Sequence, residues 1–416
     1  MKTRKLLLAL IAAACSLPSF AEGYQVNTLS ARQVALGHTG VSQKLNAESM
    51  YFNPAGIGYM NSTFDFSAGF TGIIPTATCT YNNVKYTTDN KVSTPIFAYA
   101  AFKVSNPVKI GLAFYTPYGS SINWSENWPG AIGSQKVSLS TFCLQPTVAW
   151  RILPNLSVGA GITVAWGKVD LYKGLVLGSS LDQMMVAMGG TAMFADITPA
   201  SVNLKGTSKL AVGFNVGAMY DINSKFTVGA SFRSKMMAKV GSGDASVTFA
   251  NSVAKQLLES SVGLIDKANF KAEMPMPYSL TFGLSYRPVS KLELSFDAQL
   301  TGWSAYKQLD VEFHEASLQS FNQYLPKNYK NSWAFRLGAA YNLTKRLELL
   351  AGFNVDTTPV NVDYYNPETP GMTKVSPSLG LVFRPIEQIS VSFGCSYIAG
   401  LGMKDAKYAY DDIIAS

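Results

Sequence analysis

The sequence predicts an all-β fold, specifically a transmembrane antiparallel β-barrel. Apolar residues alternate with small or polar residues over segments of roughly ten positions, which suits a strand tilted across a bilayer. A nine-residue frame with an aromatic anchor recurs six times. The N-terminus reads as an export signal, yet no later segment offers eighteen consecutive apolar residues. A chain that is 47% hydrophobic suits a barrel, because barrel strands interleave their apolar residues with polar ones.

The first 21 residues read as a secretory signal peptide. Basic residues at positions 2, 4 and 5 precede the apolar run 6–14, and Ser19-Phe20-Ala21 is a small-x-small cleavage site. A lipoprotein signal at Cys15 is the alternative, but the three alanines before it are a poor approach to such a site. We therefore expect residues 1–21 to be removed on export.

Residues 22–61 are rich in Gly, Ala, Ser and Asn and lack strand alternation. The segment is too long for a tail and too polar to face lipid. We therefore predict a plug, or hatch, folded inside the barrel, with residues 62–416 forming the barrel domain.

Thirteen strands are readable in this barrel domain. Segment 156–166 illustrates them, because its even positions are apolar while most of the odd positions are small or polar, so one face is oily and the other is not. The strands are predicted at 63–74, 92–104, 108–119, 136–152, 156–174, 208–222, 225–241, 270–287, 291–304, 332–343, 346–358, 375–385 and 389–401.

In each repeated frame an aromatic residue precedes a short turn, and apolar residues follow six and eight positions later. Each frame reads as a hairpin, and the aromatic residues would form a ring at one water interface. Long segments join the other ends, which favours a barrel over a soluble sandwich or propeller that would also alternate. The anchors are Phe102, Trp150, Tyr220, Tyr286, Tyr341 and Phe383.

Two long connections, 175–205 and 241–269, carry apolar residues at partly helical spacing. They could be short helices packed on the barrel rim. They could instead face each other and form a groove for an apolar ligand, with methionines adapting to varied shapes. The candidate groove residues are Met184, Met185, Met188, Phe194, Leu257 and Leu258.

Composition argues against several function classes. The formal charge of +8 falls to about +5 without the signal peptide and is scattered, so no nucleic-acid surface is expected. Cys79, Cys143 and Cys395 are widely spaced and predict neither a disulfide framework nor a metal site. With only His38 and His314 in the chain and no Ser-centred motif near them, no catalytic site, and hence no enzyme, is expected. We expect no cofactor.

Several motifs resemble a known family. Residues 23–27, 30–32 and above all Phe52-Asn53-Pro54-Ala55-Gly56 resemble the N-terminal plug of the FadL family, outer-membrane transporters of long-chain fatty acids and other hydrophobic compounds. Segments 301–304 and 352–360 are further points of similarity. The likeness runs over most of the mature chain.

The resemblance implies a monomeric barrel of fourteen strands whose hatch blocks the lumen, with Asn53, Pro54, Ala55 and Gly56 as hatch and gating residues. It also implies a kink in the third strand that leaves a gap in the wall. That strand carries Thr116-Pro117-Tyr118-Gly119, where Pro cannot donate to the ladder and Gly leaves a hole. The alternative is that Pro117 begins an exposed loop.

The chain departs from the family at its end, because no fourteenth strand is readable after Leu401. Thirteen antiparallel strands would close only with a parallel seam, as in one odd-stranded mitochondrial barrel. We therefore expect that this sequence lacks its last strand.

The resemblance implies passive uptake of long-chain fatty acids or other hydrophobic small molecules across the outer membrane of a Gram-negative bacterium. Capture would occur in the loop groove and release through the wall gap near Pro117. A carboxylate ligand would need a cation, for which Lys173, Lys330 and Arg336 are candidates; each could equally be a solvated or wall-bracing charge. The alternatives are a porin-like channel for small polar solutes and a structural barrel without transport. Beyond the ligand, we expect only outer-membrane lipid as a partner.

Overall fold

A computed structural model describes residues 23–81, 83–125, 128–195, 197–365, 368–369 and 371–402. The predicted signal peptide, 1–21, and the chain end beyond residue 402 lie outside these residues. None of the helices within the described ranges is long and apolar enough to cross a membrane.

The described residues form twenty-one strands, nineteen of them in one sheet. In chain order they are β1 (Phe64–Phe70), β2 (Thr78–Tyr81), β3 (Val84–Thr87), β4 (Ile96–Lys103), β5 (Val108–Asn123), β6 (Lys136–Leu153), β7 (Leu156–Val176), β8 (Ala200–Thr207), β9 (Ala211–Asp221), β10 (Phe226–Arg233), β11 (Met236–Phe249), β12 (Lys267–Met276), β13 (Ser279–Val289), β14 (Leu292–Thr301), β15 (Gln308–Phe313), β16 (Gln323–Pro326), β17 (Ser332–Asn342), β18 (Leu347–Asp356), β19 (Lys374–Ile386), β20 (Ile389–Ser396) and β21 (Ala399–Gly400).

Four α-helices are described: α1 (Ala31–Ala35), α2 (Ser49–Phe52), α3 (Gly178–Ala187) and α4 (Ser252–Val262). Short 3₁₀ helices span Asn46–Glu48, Pro54–Tyr59, Pro129–Ile132, Trp303–Ala305, Ala316–Phe321 and Val362–Tyr364.

Thirteen of the strands form the wall of the barrel, each antiparallel to the next. We call them the wall strands; in order they are β1, β4, β5, β6, β7, β9, β10, β13, β14, β17, β18, β19 and β20. They correspond one to one with the thirteen predicted strands. Within the described ranges no pairing joins β1 to β20, and the predicted lack of a fourteenth strand after Leu401 concerns residues that lie mostly outside them.

The two faces of the wall follow the predicted alternation. In β7, Ile162 is exposed and pairs with Phe214 of β9, while the neighbouring Ser157 and Thr163 are buried on the other face. Along the short turns, the anchors Phe102 and Trp150 are half exposed on the outer face. The large apolar residues therefore face outward and the small polar residues face inward.

Above the wall, five strands extend the sheet beyond the long-loop end. β8 pairs with β7 and β11, β12 joins β11 to β15, and β16 completes the series. The predicted strand 225–241 is in fact β10 followed by β11, and 270–287 is β12 followed by β13. The second break contains Pro277, which has no N–H for a ladder. The long connections hold α3 and α4, as their spacing suggested, but also β8 and parts of β11 and β12.

The N-terminal segment, residues 23–60, contacts all thirteen wall strands on their inward face. In strand order its partners are Asp65, Tyr99, Pro117, Gln145, Ser157, Asn215, Arg233, Ser285, Asp297, Gly338, Glu348, Ser378 and Gly394. The segment therefore lies against the small, polar face of the wall.

The backbone of this segment approaches the backbone of the wall closely, because glycines stand at the points of contact. A Cβ on Gly159 would lie 2.4 Å from the carbonyl carbon of Pro54, and one on Gly352 would lie 2.1 Å from the amide nitrogen of Gly37. Only glycine admits such an approach.

Candidate ligand path

The wall is interrupted between β4 and β5. Their pairing ends at Phe97 opposite Tyr115, although β5 continues to Asn123 and stays paired with β6. The β6 register shifts between Tyr115 and Tyr118, which marks a bulge. The predicted lateral opening, Thr116 to Gly119, lies at this interruption.

The upper part of β5 pairs inward with the start of the chain instead of with β4. The amide of Val26 donates to the carbonyl oxygen of Pro117 at 2.8 Å, and the amide of Gly119 donates to the carbonyl oxygen of Tyr24 at 2.8 Å. Pro117 has no N–H of its own, so it suits an edge that leaves its neighbour. The strand passes through Pro117 and does not end there.

Thr116 bonds to the last strand residue below the break. Its hydroxyl accepts from the amide of Ile96 at 3.0 Å and donates to the carbonyl oxygen of Ile96 at 3.2 Å. This side chain therefore substitutes for the next backbone pair of the ladder at the lower end of the interruption.

Aromatic rings lead from this break toward the long loops. The ring of Tyr118 lies 6.0 Å from that of Tyr24, which lies 4.8 Å from Trp303 and 5.9 Å from Tyr306. Tyr329 continues the series, 6.0 Å from Trp303 and 5.1 Å from Tyr306. We call these five rings the aromatic path; their ring centroids are spaced as in edge-to-face pairs.

Tyr24 is the central member of the aromatic path. It is fully buried, its hydroxyl donates to the carbonyl oxygen of Pro275, and burial raises its pKa well above the ordinary value. Gly23 takes a positive φ of 49°, and a Cβ there would lie 2.8 Å from Trp303. The ring is therefore uncharged and fixed by the turn that precedes it.

The loop end of the aromatic path adjoins a buried charged cluster. The Lys173 ammonium donates to the Oε1 of Gln323, and the Lys327 ammonium lies 2.8 Å from the Glu368 carboxylate. The hydroxyls of Tyr329 and of Thr369, the residue after Glu368, lie 2.8 Å apart. Both lysines are almost fully buried. Within the described part of the chain, this cluster therefore holds two ammonium groups and one carboxylate.

The other two predicted carboxylate partners lie elsewhere. Lys330 is exposed, two residues before β17 begins. Arg336 is buried, stands opposite Asp297 in the β14–β17 register, and donates to Gln299 at 2.8 Å. Of the three predicted cations, only Lys173 belongs to the loop cluster.

The Asn53 to Gly56 turn is tightly held on the inner wall. The Asn53 amide donates to the carbonyl oxygens of Val41 at 2.7 Å and Ala218 at 3.0 Å, and its Oδ1 accepts from the amide of Ala55. A Cβ on Gly217 would lie 2.1 Å from that Oδ1. The turn is therefore anchored to β7 and β9, away from the β4–β5 break.

The predicted groove residues divide by burial. Phe194 and Leu258 are fully buried in the core above the wall, whereas Met184, Met185 and Leu257 are partly buried against it. Met188 is 68% exposed. The fold thus leaves two methionines and a leucine accessible at the surface of one apolar cluster.

Sequence reasoning missed Arg233, which reaches across the bore from β10. Its Nη1 donates to the Tyr115 hydroxyl, and its Nη2 donates to the carbonyl oxygen of Tyr51 at 2.9 Å. The guanidinium also lies over the Tyr51 ring, 4.7 Å from its centroid. A lone arginine beside a strand end carries no sequence signal for such a contact.

Known proteins share this architecture. A family model described as outer membrane protein transport protein (OMPP1/FadL/TodX) matches residues 12–411. The chain is 23% identical to outer membrane protein P1 of Haemophilus influenzae over 73% of this chain, a match that spans 65% of that protein's length. It is also 23% identical to the long-chain fatty acid transport protein of Escherichia coli, over 96% of this chain and 92% of that protein.

Two solved structures show the same fold. A FadL homologue of Pseudomonas aeruginosa superposes with a TM-score of 0.74 at 18% identity, covering 91% of each chain. The toluene transporter TodX of P. putida gives 0.65 at 15% identity, covering 90% of this chain and 92% of the other.

The family model covers nearly the whole chain, and the relatives are outer-membrane proteins of Gram-negative bacteria. The fold therefore confirms the predicted barrel class, and the protein resides in the outer membrane. The chain belongs to the OMPP1/FadL/TodX family of outer membrane transport proteins.

Proposed function

We propose that this protein takes up hydrophobic small molecules, long-chain fatty acids among them, passively across the outer membrane. The observation that carries the proposal is the aromatic path, which links the buried loop cluster to the break between β4 and β5. The bore itself is occupied by residues 23–60. A ligand that enters at the loops thus has an apolar route that ends at the break in the wall.

The relatives support the substrate class. One is named a long-chain fatty acid transport protein and another a toluene transporter. The two ligands differ in charge but share an apolar body, so the class we assign to this chain is hydrophobic compounds.

The loop cluster suits a carboxylate headgroup. Among the described residues, the Lys173 ammonium is hydrogen-bonded to Gln323, and the Glu368 carboxylate is ion-paired with Lys327. A ligand carboxylate would pair with Lys173, because a second anion would match the second buried ammonium group. Met184, Met185 and Leu257 would capture the alkyl chain first, and Met185→Asp would weaken that capture.

Release requires the chain start to leave β5. Residues 24–26 occupy the β5 edge, and Tyr24 also belongs to the aromatic path, so one movement would clear both the edge and the route. We assign residues 22–61 as the hatch and residues 1–21 as the signal peptide. The Asn53 to Gly56 turn serves as the anchor about which the hatch shifts. The transporter acts as a monomer.

A reversible crosslink tests the exit. The Ile96→Cys/Thr116→Cys pair would bridge β4 and β5 where Thr116 now bonds to Ile96. In cells, oxidation should reduce uptake of labelled oleate at least fivefold, and reductant should restore it. Each single cysteine variant is the matched control. Unchanged uptake in the crosslinked protein would refute lateral release. Uptake of small sugars by the unmodified barrel, with none of oleate, would favour the porin-like alternative instead.

A further inference from the structure

A groove of about 580 Å³ lies on the outer, bilayer-facing surface of the wall. It crosses β6, β7, β9, β10 and β13, and its lining is almost entirely apolar. Small outward residues form its floor, namely Ala160, Ala218 and Ala230, and larger ones form its sides, namely Trp150, Phe232 and Leu280.

The groove opens at the short-turn end of the barrel. Val158 in its lining pairs with Trp150 on one side and with Ala218 on the other. Trp150 is an outward residue near the end of β6, four positions before the short turn 154–155. Because barrels of this type have short turns on the periplasmic side, the groove faces the inner leaflet of the outer membrane.

The same rim is rich in cations. Nine basic residues flank the short turns, against the four acidic residues Asp221, Glu293, Glu348 and Glu387; the nine are Lys103, Lys109, Arg151, Lys225, Arg287, Lys291, Lys345, Arg346 and Arg384.

Three of those four carboxylates already have partners. Asp221 pairs with Lys44, Glu293 pairs with Arg287, and Glu348 pairs with two arginines. Lys225, in the turn between β9 and β10, is exposed and has no carboxylate within ion-pair distance among the described residues. The rim at the mouth of the groove therefore carries unneutralised positive charge.

We propose that one anionic glycerophospholipid of the inner leaflet binds here, with an acyl chain in the groove and its phosphate at Lys225. An acyl chain that enters a lipid-facing groove moves from one hydrocarbon environment to another and gains no hydrophobic free energy. The charge of the headgroup must therefore hold a particular lipid at this site. Five residues separate Ala230 from Lys225, about 16 Å along a strand, close to half the roughly 30 Å hydrocarbon thickness. A phosphate at interface depth would thus be within reach of Lys225.

Native mass spectrometry of the purified barrel, loaded with phosphatidylglycerol or phosphatidylethanolamine in detergent, tests the site. We expect one retained phosphatidylglycerol and weaker retention of phosphatidylethanolamine. Lys225→Gln should lower phosphatidylglycerol retention about fivefold, the effect of one interfacial cation. The Ala218→Leu/Ala230→Leu variant should fill the groove and lower retention of both lipids.

Two matched controls accompany these variants. Ala351→Leu adds one leucine on the outer face of β18, away from the groove, and Lys345→Gln removes a rim cation from another turn; both should retain lipid like the unmodified protein. Heat-modifiable electrophoretic mobility verifies that each variant is folded. Equal retention of the two lipids, or no effect of the groove variants, overturns the proposal. So does a change of oligomeric state in Ala218→Leu/Ala230→Leu, which would mean that a second copy covers the groove.

Discussion

Arg233 of β10 donates from Nη1 to the hydroxyl of Tyr115 in β5 at 2.7 Å. Tyr115 is the last β5 residue that pairs with β4 before the ladder gives way to the Thr116 side chain. A single guanidinium thus spans the interior and fixes the wall just below its interruption. Because Arg233 also holds the carbonyl oxygen of Tyr51, it ties the N-terminal segment to the same point.

Removing this cation should loosen both attachments. We expect Arg233→Gln to reduce the free energy of unfolding by about 2 kcal/mol, since hydrogen bonds to charged groups contribute about 1.5–3 kcal/mol. Urea unfolding in lipid vesicles, followed by tryptophan fluorescence, measures it. The control is Arg287→Gln, which breaks a partly exposed pair with Glu293 and should cost at most about 1 kcal/mol. Equal losses in the two variants would contradict the bracing role.

A substitution of Gly217 tests how closely the Asn53 to Gly56 turn packs against β9. In Gly217→Ala the new Cβ would lie 2.1 Å from the Asn53 Oδ1, so the turn must move. We expect a loss of about 1–3 kcal/mol from overpacking and faster proteolysis of residues 23–60. In Gly72→Ala the nearest atom to the Cβ is 3.8 Å away, so that control should change stability by less than about 0.5 kcal/mol. Unaltered proteolysis of Gly217→Ala would argue against the anchor.

Glu48 should make stability depend on pH. Its carboxylate accepts from the hydroxyls of Ser30 and Ser67, yet burial raises its pKa above the ordinary 4.5. Because the folded state holds this proton more tightly than the unfolded state, stability falls as pH rises from about 4.5 through the raised pKa. Glu48→Gln should flatten this slope and stabilise the protein at neutral pH. Thermal midpoints of both proteins across pH 4–8 measure it, and parallel profiles would exclude Glu48 as the source.

Lys173 should discriminate between charged and neutral ligands. We expect Lys173→Gln to weaken binding of a long-chain fatty acid about tenfold, equivalent to about 1.4 kcal/mol, and to leave its methyl ester unaffected. Displacement of a bound fluorescent fatty acid gives both affinities. Lys330→Gln is the control, because Lys330 is exposed. A matching loss for the ester would show that Lys173 acts on the fold and not on the carboxylate.

The number of wall strands, and which of their residues face outward, were predictable because each wall strand has lipid on one side and polar contacts on the other. Segment 156–166 therefore alternates cleanly, and the aromatic anchors mark the turns. The upper strands were harder to predict. β10 and β11 read as one run because the break at Ser234-Lys235 carries neither glycine nor proline, and β8 was hidden among loop residues since it pairs above the bilayer, where no lipid imposes a pattern.

The site was predictable only where proline and glycine restrict what the backbone can do. Pro117 and Gly119 mark the β5 break in the sequence itself. Tyr24 is far in sequence from Trp303 and Tyr329, and its contact with Trp303 depends on how the chain start folds back. Arg233 and Lys327 were missed for the same reason, because each is an ordinary basic residue until the fold brings it to its partner.

The contacts of residues 23–60 with all thirteen wall strands have a consequence for the assembly of the barrel. If the wall strands paired first, contacts with every one of them would have to form afterwards in a single step. We therefore expect the N-terminal segment and the wall strands to fold together, so that each stabilises the other during assembly.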